Sequence, residues 1–393
     1  MHILESYALQ NDLKIGKPHV YEKFFPLAVD KYITIDTSGL GTEAMQYNHW
    51  QLVVDLIQPK LEELGIKIIQ MGEKDCKPLD KCYLAIGQCD FNQKAYVIKN
   101  SLVHVSSNNE TSHIASAYDT KLVTLYPHNC HVSQFSPYWS NKDRCCLLQE
   151  KRTSKPTFNP SENPKSINLI TPEKIAQETL AFAGVHTFAP EFKTVKVSSS
   201  FYQPRIESTL THLIDTKKLS VSSLIVRMDL NFNEENLAKQ LSSCPCSIIT
   251  NKALSPSLID AYHKRIVELV YYIEDDNDPE FVKKVKSKSI NFLLRTRKEG
   301  EEYADIKLKY LDFPMVHQIK KKTKEDFDDL KDKNNLYYKS KYFIIHNNKF
   351  YPCTSALRRG IHASDRMDHQ ANEIINDSLF WEDHEHFHFL AKN

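Results

Sequence analysis

From Ser106 to Ala117 the chain reads Ser-Ser-Asn-Asn-Glu-Thr-Ser-His-Ile-Ala-Ser-Ala, a run of hydroxyl and amide side chains around one imidazole. The apolar run Leu102–Val105 before it predicts a strand, and Glu110–Tyr118 predicts a short helix. Asn108, Thr111 and Ser112 would then crowd a helix N-terminus, whose free N–H groups and dipole favour a phosphate oxygen. His113 falls in the first turn, where its imidazole could reach a diphosphate. The plainer reading of the same residues is that Asn108 to Thr111 cap the helix and His113 is a half-buried polar residue.

Three other groupings bear on chemistry. His384, His386 and His388 alternate, which puts them on one face of a strand but not of a helix; metal binding competes there with a solvated tail. Lys283, Lys284, Lys286 and Lys288, with Arg295, Arg297 and Lys298, flank a predicted strand, and Lys320–Lys324 form a second basic run. Tyr and Phe interleaved through 337–351 would suit stacking on nucleic-acid bases. Glu325, Asp326, Asp328, Asp329 and Asp332 follow the second run, so a salt-bridged surface helix is the simpler account. No Asp-x-Asp pair is placed to hold a divalent metal: Asp275-Asp276-Asn277-Asp278 precedes Pro279 as a helix cap, and Asp326-Phe327-Asp328 belongs to the charged helix.

The elements that must carry these residues alternate. Tyr32–Asp36, Ile66–Gln70, Cys82–Ile86, Leu102–Val105 and Lys121–Tyr126 read as strands, with helices over Tyr47–Leu64, Phe91–Lys99 and Glu110–Tyr118, which implies a parallel sheet. Residues 150–165 concentrate Pro, Ser, Thr, Asn and Lys and read as an exposed linker, followed by a helix over Pro172–Ala183. A second series follows: strands Phe192–Val197, Leu224–Met228, Ser247–Thr250, Leu269–Ile273 and Ile290–Arg295, with helices from Glu234, Pro256 and Pro279. Tyr337–Ile345 and Lys349–Cys353 flank His346-Asn347-Asn348 as a β-hairpin, and 366–393 reads as a helical tail. In doubly wound sheets ligands bind outside the carboxyl ends of the strands, so the loops after the first-half strands should converge on one crevice.

A chain of 393 residues with 41% hydrophobic and 26% charged residues can bury two ordinary cores. With 51 Lys and Arg against 50 Asp and Glu, any preference for polyanions must come from local patches. Nine scattered cysteines fit neither a disulfide framework nor a zinc spacing, so a reducing cytoplasm is expected. No run approaches the roughly 18 apolar residues of a membrane span, and the N-terminus lacks the apolar core of a signal peptide.

The stretch from Ser101 to Trp139 resembles the signature of the family 9, heptosyltransferase-like glycosyltransferases: a strand, an Asp-Ser-Gly-Pro-x-His turn, a small-residue helix, an apolar strand and a loop rich in Pro and aromatics. His113 takes the His position, Ile114–Ala117 the small-residue helix, and Tyr126–Pro127 the place of a Phe-Gly-Pro. Ile33–Gly39 is similar to the family's first strand and phosphate-side turn, and Ile66–Gly72 to its second strand, so the resemblance covers residues 30–150. Asn108 stands where the family has Asp, and Glu110 and Thr111 where it has Gly-Pro. The basic-Trp-Pro after the first turn is missing. A glutamate at 110 would repel a diphosphate, so Glu110 is expected to face the sugar or point away.

The resemblance implies an α/β chain of two Rossmann-like domains, GT-B-like, with a C-terminal β-hairpin and helical tail. Residues 1–150 would bind the nucleotide-sugar donor, 151–185 would be linker and helix, and 186–393 the acceptor domain with its extension. The family's acceptor domain comes first and begins Ile-Leu-x-x-Arg; the comparable segment here is Leu224–Arg227, so the order looks swapped, as in a circular permutation. The implied activity is transfer of a sugar, hexosyl or heptosyl, from a nucleotide-sugar to a hydroxyl of a glycan of lipopolysaccharide type or of a modified nucleic-acid base. Ser38, Gly39, Gly72, Asn108, Thr111, Ser112 and His113 would bind the donor, with no metal and no cofactor beyond the donor substrate. His113 and the helix dipole would stabilise the departing diphosphate. One of Asp229, Glu234 or Glu235 would be the general base, the family's Asp falling nearest Asn233. The competing reading of Asp229 and Glu234 is a strand-end turn and helix-terminal charge. The competing reading of the whole is a noncatalytic module of the same fold that contacts nucleic acid or a protein partner.

Overall fold

Strand β1 (Tyr32–Asp36) is buried at all its positions, as a central strand of a parallel sheet covered on both faces must be. The computed structural model describes residues 1–39, 41–151, 160–219, 223–274, 278–313 and 315–393. They form two compact units, Met1–Lys193 and Thr194–Asn393. The expected linker at 150–165 lies partly outside the described residues, and the first unit continues well beyond it.

In the first unit β2 (Lys67–Met71), β3 (Tyr83–Leu84), β4 (His104–Ser107), β5 (Leu122–Leu125) and β6 (Cys145–Leu148) join β1 in the order β3-β2-β1-β4-β5-β6, all parallel. The period of two divides the sheet's faces. Ile33 and Ile35 meet α2 (Trp50–Glu63) through Val53, Val54 and Ile57, and α6 (Pro172–Phe182) through Ile175 and Leu180. Tyr32 lies on the other face with α3 (Phe91–Lys99) and α4 (Glu110–Ala117), through Ala95, Val97, Ile114 and Ala115. The helix after the expected linker thus completes the first core.

Ahead of β1, α1 (Ile3–Gln10) leads into an arm without regular structure. Val20, Phe25, Leu27 and Val29 of the arm pack against the α3/α4 face. Tyr118 Oη donates to the Val20 carbonyl at 2.6 Å, across 98 positions of chain, and the Lys23 N–H donates to the Asn92 carbonyl. One turn, α5 (Val132–Phe135), interrupts the loop after β5.

The second unit holds two sheets. Its parallel series is β8 (Arg205–Ser208), β9 (Leu224–Arg227), β10 (Cys246–Thr250), β11 (Ile266–Tyr272), β12 (Phe292–Thr296) and β13 (Val316–Gln318), in sequence order across the sheet. The connecting helices are α7 (Glu234–Ser243), α8 (Pro256–Tyr262), α9 (Pro279–Ser287) and α10 (Gly300–Lys309). β15 (Tyr342–His346) returns to lie parallel beside β8, and β16 (Lys349–Tyr351) forms the expected hairpin with it. Asn347 and Asn348, both at positive φ, make the two-residue turn. The α/β class with two Rossmann-like sheets therefore stands.

The second sheet is antiparallel where described by register: β17 (Asn372–Glu373), β14 (Leu336–Ser340) and β18 (Phe387–Lys392), with β7 (Phe192–Val197) at its edge. Three expectations are corrected there. Phe192–Val197 belongs to this sheet and not to the parallel series. The single strand expected over Tyr337–Ile345 is two strands in two sheets, because Ser340 Oγ bonds both the N–H and the carbonyl of Tyr342 and turns the chain. The helical tail is a five-residue helix, α12 (Ser378–Glu382), followed by β18. Phe387 to Leu390 are all buried, His388 among them, and the alternation of histidines there is the strand signal that the helical reading passed over. The charged surface helix after Lys320 is likewise a single 3-10 turn, Lys324–Asp326, held by the Thr323–Asp326 capping box. α11 (Thr354–Arg359) follows β16.

Candidate functional site

A sheet of order 3-2-1-4-5-6 changes winding direction between its first and fourth strands, and the loops leaving them flank a crevice. Here those loops are Thr37–Gly39 and Asn108–Asn109. Asn109 Nδ2 donates to both the carbonyl and the Oγ of Ser38, each at 3.3 Å, and ties the two loops together. Asp36, on the α3/α4 face of β1, closes the strand: its Oδ1 accepts the Ser38 N–H at 2.9 Å and the Ser38 hydroxyl. Its Oδ2 is buried without a hydrogen-bond partner among the described residues. Burial pushes the Asp36 carboxyl up, while the two bonds from Ser38 pull it down, with a net rise.

The expected phosphate-side helix is α4, and its cap is Asn109. Asn109 Oδ1 accepts from the Thr111 N–H at 3.0 Å, the Ser112 N–H at 3.3 Å and the Thr111 hydroxyl at 2.6 Å. The Ser112 hydroxyl donates to the Asn109 carbonyl at 2.7 Å. Thr111 Oγ1 meets His104 Nε2 at 2.9 Å, and His104 Nδ1 meets Thr34 Oγ1 at 2.8 Å. Since Thr111 donates to Asn109, it accepts from His104, which fixes the Nε2–H tautomer. Thr111 and Ser112 are thus both buried and engaged inside the fold. Asn108 Nδ2 donates to Cys130 Sγ at 3.2 Å, and its buried Oδ1 has no partner among the described residues. His113 is half-buried; burial first and the nearby His2 second lower its pKa, so it is a neutral imidazole with one N–H to donate.

Two of the candidate glycines serve close approach. A Cβ on Gly39 would stand 2.5 Å from Gln46 Cγ and 3.0 Å from the Gln46 amide nitrogen. Gly72 has φ +148°, and a Cβ there would stand 2.8 Å from Cys76 Sγ. The loops after β2 and β3 are joined by the Gly87 N–H to the Gly72 carbonyl, and Gln70 anchors the first by bonds to Thr37, Lys77 and Leu79.

Reading the signature alone misses Lys94. It sits in the first turn of α3, at the carboxyl edge of the sheet, and its ammonium donates to Glu73 at 2.8 Å and Glu110 at 2.7 Å. Burial alone would lower its pKa; the bonds to Glu110 and Glu73 prevail and raise it. Glu110 therefore turns toward α3. Only the position of Lys94 after the Asp90 N-cap is visible in the sequence; the pairing joins the loop after β2 to the first turns of α3 and α4.

In the second unit Asp229 follows β9 and receives Arg227 in two parallel contacts, Nε–Oδ1 and Nη2–Oδ2, both 2.8 Å. Arg227 also meets Glu207, Tyr342 and Thr354, and Arg205 holds the other oxygen of Glu207. Burial would raise the Glu207 pKa, but the two guanidiniums outweigh it and lower it. Glu234 Oε1 accepts the Ser255 N–H at 2.5 Å, joining α7 to the start of α8, and Asn233 caps α7. Glu235 is exposed and pairs with Lys239. Asp229 and Glu234 thus both have structural partners.

The three alternating histidines diverge: His384 bonds the Trp381 carbonyl, His388 bonds Thr194, and His386 lies against the Tyr342 ring. Among the described residues no group of three His, Cys, Asp or Glu side chains is arranged to hold a metal. Within the basic runs Lys284 and Lys288 share Asp260, Lys283 meets Glu280, and Arg297 meets Glu274 and Glu382.

No family model matches the chain, and no curated protein matches it. Among solved structures it is similar to the ADP-heptose lipopolysaccharide heptosyltransferase II of E. coli, at 17% identity over 45% of this chain and 50% of that one, with TM-score 0.32. A family 9 glycosyl transferase from Veillonella parvula matches at 12% identity over 39% of this chain and 46% of that one, TM-score 0.31. The iron-containing dodecameric glycosyltransferase TibC of enterotoxigenic E. coli matches at 12% identity over 42% and 48%, TM-score 0.31. The chain spans about half the length of each of these.

Proposed function

We propose that the protein is a glycosyltransferase whose first unit binds a nucleotide-sugar at the carboxyl edge of its parallel sheet. The observation that carries this reading is the crevice between β1 and β4, where Ser38 and Asn109 meet over the buried Asp36. The signature-like stretch Ser101–Trp139 supports it. Ser38, Gly39, Gly72 and Asn108 would line the donor. Thr111 and Ser112 would act through their backbone, once Asn109 turns from cap to ligand. A neutral His113 would donate to the leaving diphosphate.

The second unit would supply the acceptor side, a glycan hydroxyl or a modified nucleic-acid base, with one of Asp229, Glu234 or Glu235 as general base. The swapped order of donor and acceptor halves and a cytoplasmic setting, in keeping with nine free cysteines, belong to the same proposal. No helix of the described residues is long and apolar enough to cross a membrane.

Thermal melting against a panel of nucleoside diphosphates and nucleotide-sugars tests it: one member should raise the melting temperature with dose. His113→Ala should then cut turnover far more than it cuts stability; equal losses would make His113 a packing residue.

A specific observation favours a second reading, a noncatalytic module. The amides of Thr111 and Ser112 are already capped, and Asp229 and Glu234 are already bonded. On this reading no nucleotide-sugar shifts the melt, and Asp229→Asn costs stability alone.

A further inference from the structure

We infer that Glu73 and Glu110 occupy, in the unliganded protein, the place of a ligand's diphosphate, and that Lys94 is the cation the ligand takes over from them. The inference rests on the nucleotide-binding reading of the first unit and adds the residue that selects the charged group.

Exposure is the first ground. The Lys94 side chain is only 8% exposed, whereas those of Glu73 and Glu110 are 64% and 44% exposed. A buried ammonium requires an anion at all times. Exposed carboxylates contribute little to such a pair and return to water at small cost, so they are replaceable partners for a cation that is not free to leave.

Position is the second ground. Lys94 lies in the first turn of α3, Glu73 follows β2 and Glu110 opens α4 after β4, so the triad lies on the side of the sheet where the strands end and where ligands of this topology bind. The usual anion-binding groups of α4 are meanwhile occupied by Asn109.

Charge is the third. One diphosphate replaces two separate carboxylates with a single multivalent anion whose oxygens match an ammonium's donors. Glu110, the residue that departs most from the family-like signature, is on this account an internal competitor, one that raises the ligand concentration needed for occupancy.

The test is calorimetric titration of the full chain with nucleoside diphosphates and, in parallel, inorganic pyrophosphate, at one fixed salt concentration. The proteins are wild type, Glu110→Gln, Glu73→Gln, Lys94→Met and Lys94→Arg, each checked by circular dichroism. Glu110→Gln should bind about tenfold more tightly, Lys94→Met at least about tenfold more weakly, and Lys94→Arg within a few fold of wild type. A nucleoside diphosphate that binds wild type but gains nothing in Glu110→Gln and Glu73→Gln overturns the competitor role and leaves the nucleotide reading standing. If Lys94→Met does not fold, the two exposed glutamate variants still decide the matter. Pyrophosphate binding with this dependence, and no added affinity from any nucleoside, keeps the cation exchange and removes the nucleotide. No binding of either probe to wild type or Glu110→Gln removes both.

Discussion

His104 is sealed between Thr34 and Thr111, and burial lowers its pKa to about 3; His49 is lowered to about 4 by burial and by Lys165. Both fold as neutral imidazoles with values below the ordinary 6.5. The unfolded chain therefore binds more protons in this range. Their contribution is full above about pH 6.5 and is lost as pH falls toward those folded values, with His104 alone accounting for roughly 3 kcal/mol by pH 4. Urea midpoints measured from pH 7 to 4 should fall accordingly, and His104→Gln should flatten the curve; an unchanged slope would mean that His104 titrates normally in the fold. At this scale the sequence was informative about types and poor about partners. Arg227 and Asp229 are two apart, and side chains two apart share a face of a strand, so their pairing was in principle readable. Lys94 was not, because its partners lie 21 and 16 positions away along the chain.

Elements were most legible where a local bond defines them. Asp90 and Gln93 form a reciprocal capping box, and α3 occupies the span its periodicity predicts, Phe91–Lys99. The β15–β16 turn at Asn347-Asn348 is of the same kind. Legibility failed where one side chain redirects the backbone, as Ser340 does between β14 and β15. β6, β8, β13 and α10 have weak local patterns and take their order from neighbouring strands and helices. Asn109 offers a prediction at this level, since it caps α4 and also joins that helix to the turn after β1. Asn109→Ala should cost about 1–2 kcal/mol in equilibrium unfolding; a loss below the error of the measurement would show that the cap and the bridge to Ser38 do not form in solution.

At the scale of the whole molecule, opposite charges balance in sum, and on α9 they balance locally too. The chain's net charge is +1, and the basic run on α9 is matched by Glu280 and Asp260. Retention on DNA or RNA through this run should therefore be absent, and a salt slope that falls in Lys283→Ala or Lys284→Ala would contradict this. Within the second unit Arg297 binds Glu382 of α12 through two contacts of 2.9 Å while stacking 4.7 Å over Tyr272 of β11. Arg297→Ala should destabilise by roughly 2–3 kcal/mol, because Glu382 stays half-buried without its partner. Hydrogen exchange should quicken first at 378–392; uniform quickening would show that Arg297 is not a local clasp.

The arm ahead of β1 sets an order of events in folding. Its anchors at Tyr118 and Asn92 lie on helices made long after it, so it cannot dock until α3 and α4 are in place. Closing so long a loop adds an entropic cost that grows only slowly with length, which makes the arm a late step and not a forbidden one. Refolding watched through Tyr118 or Trp139, whose indole donates to the Gly16 carbonyl, should lag behind sheet formation watched by backbone signals. The stretch that precedes β1 along the chain would then be among the last of its unit to find its place.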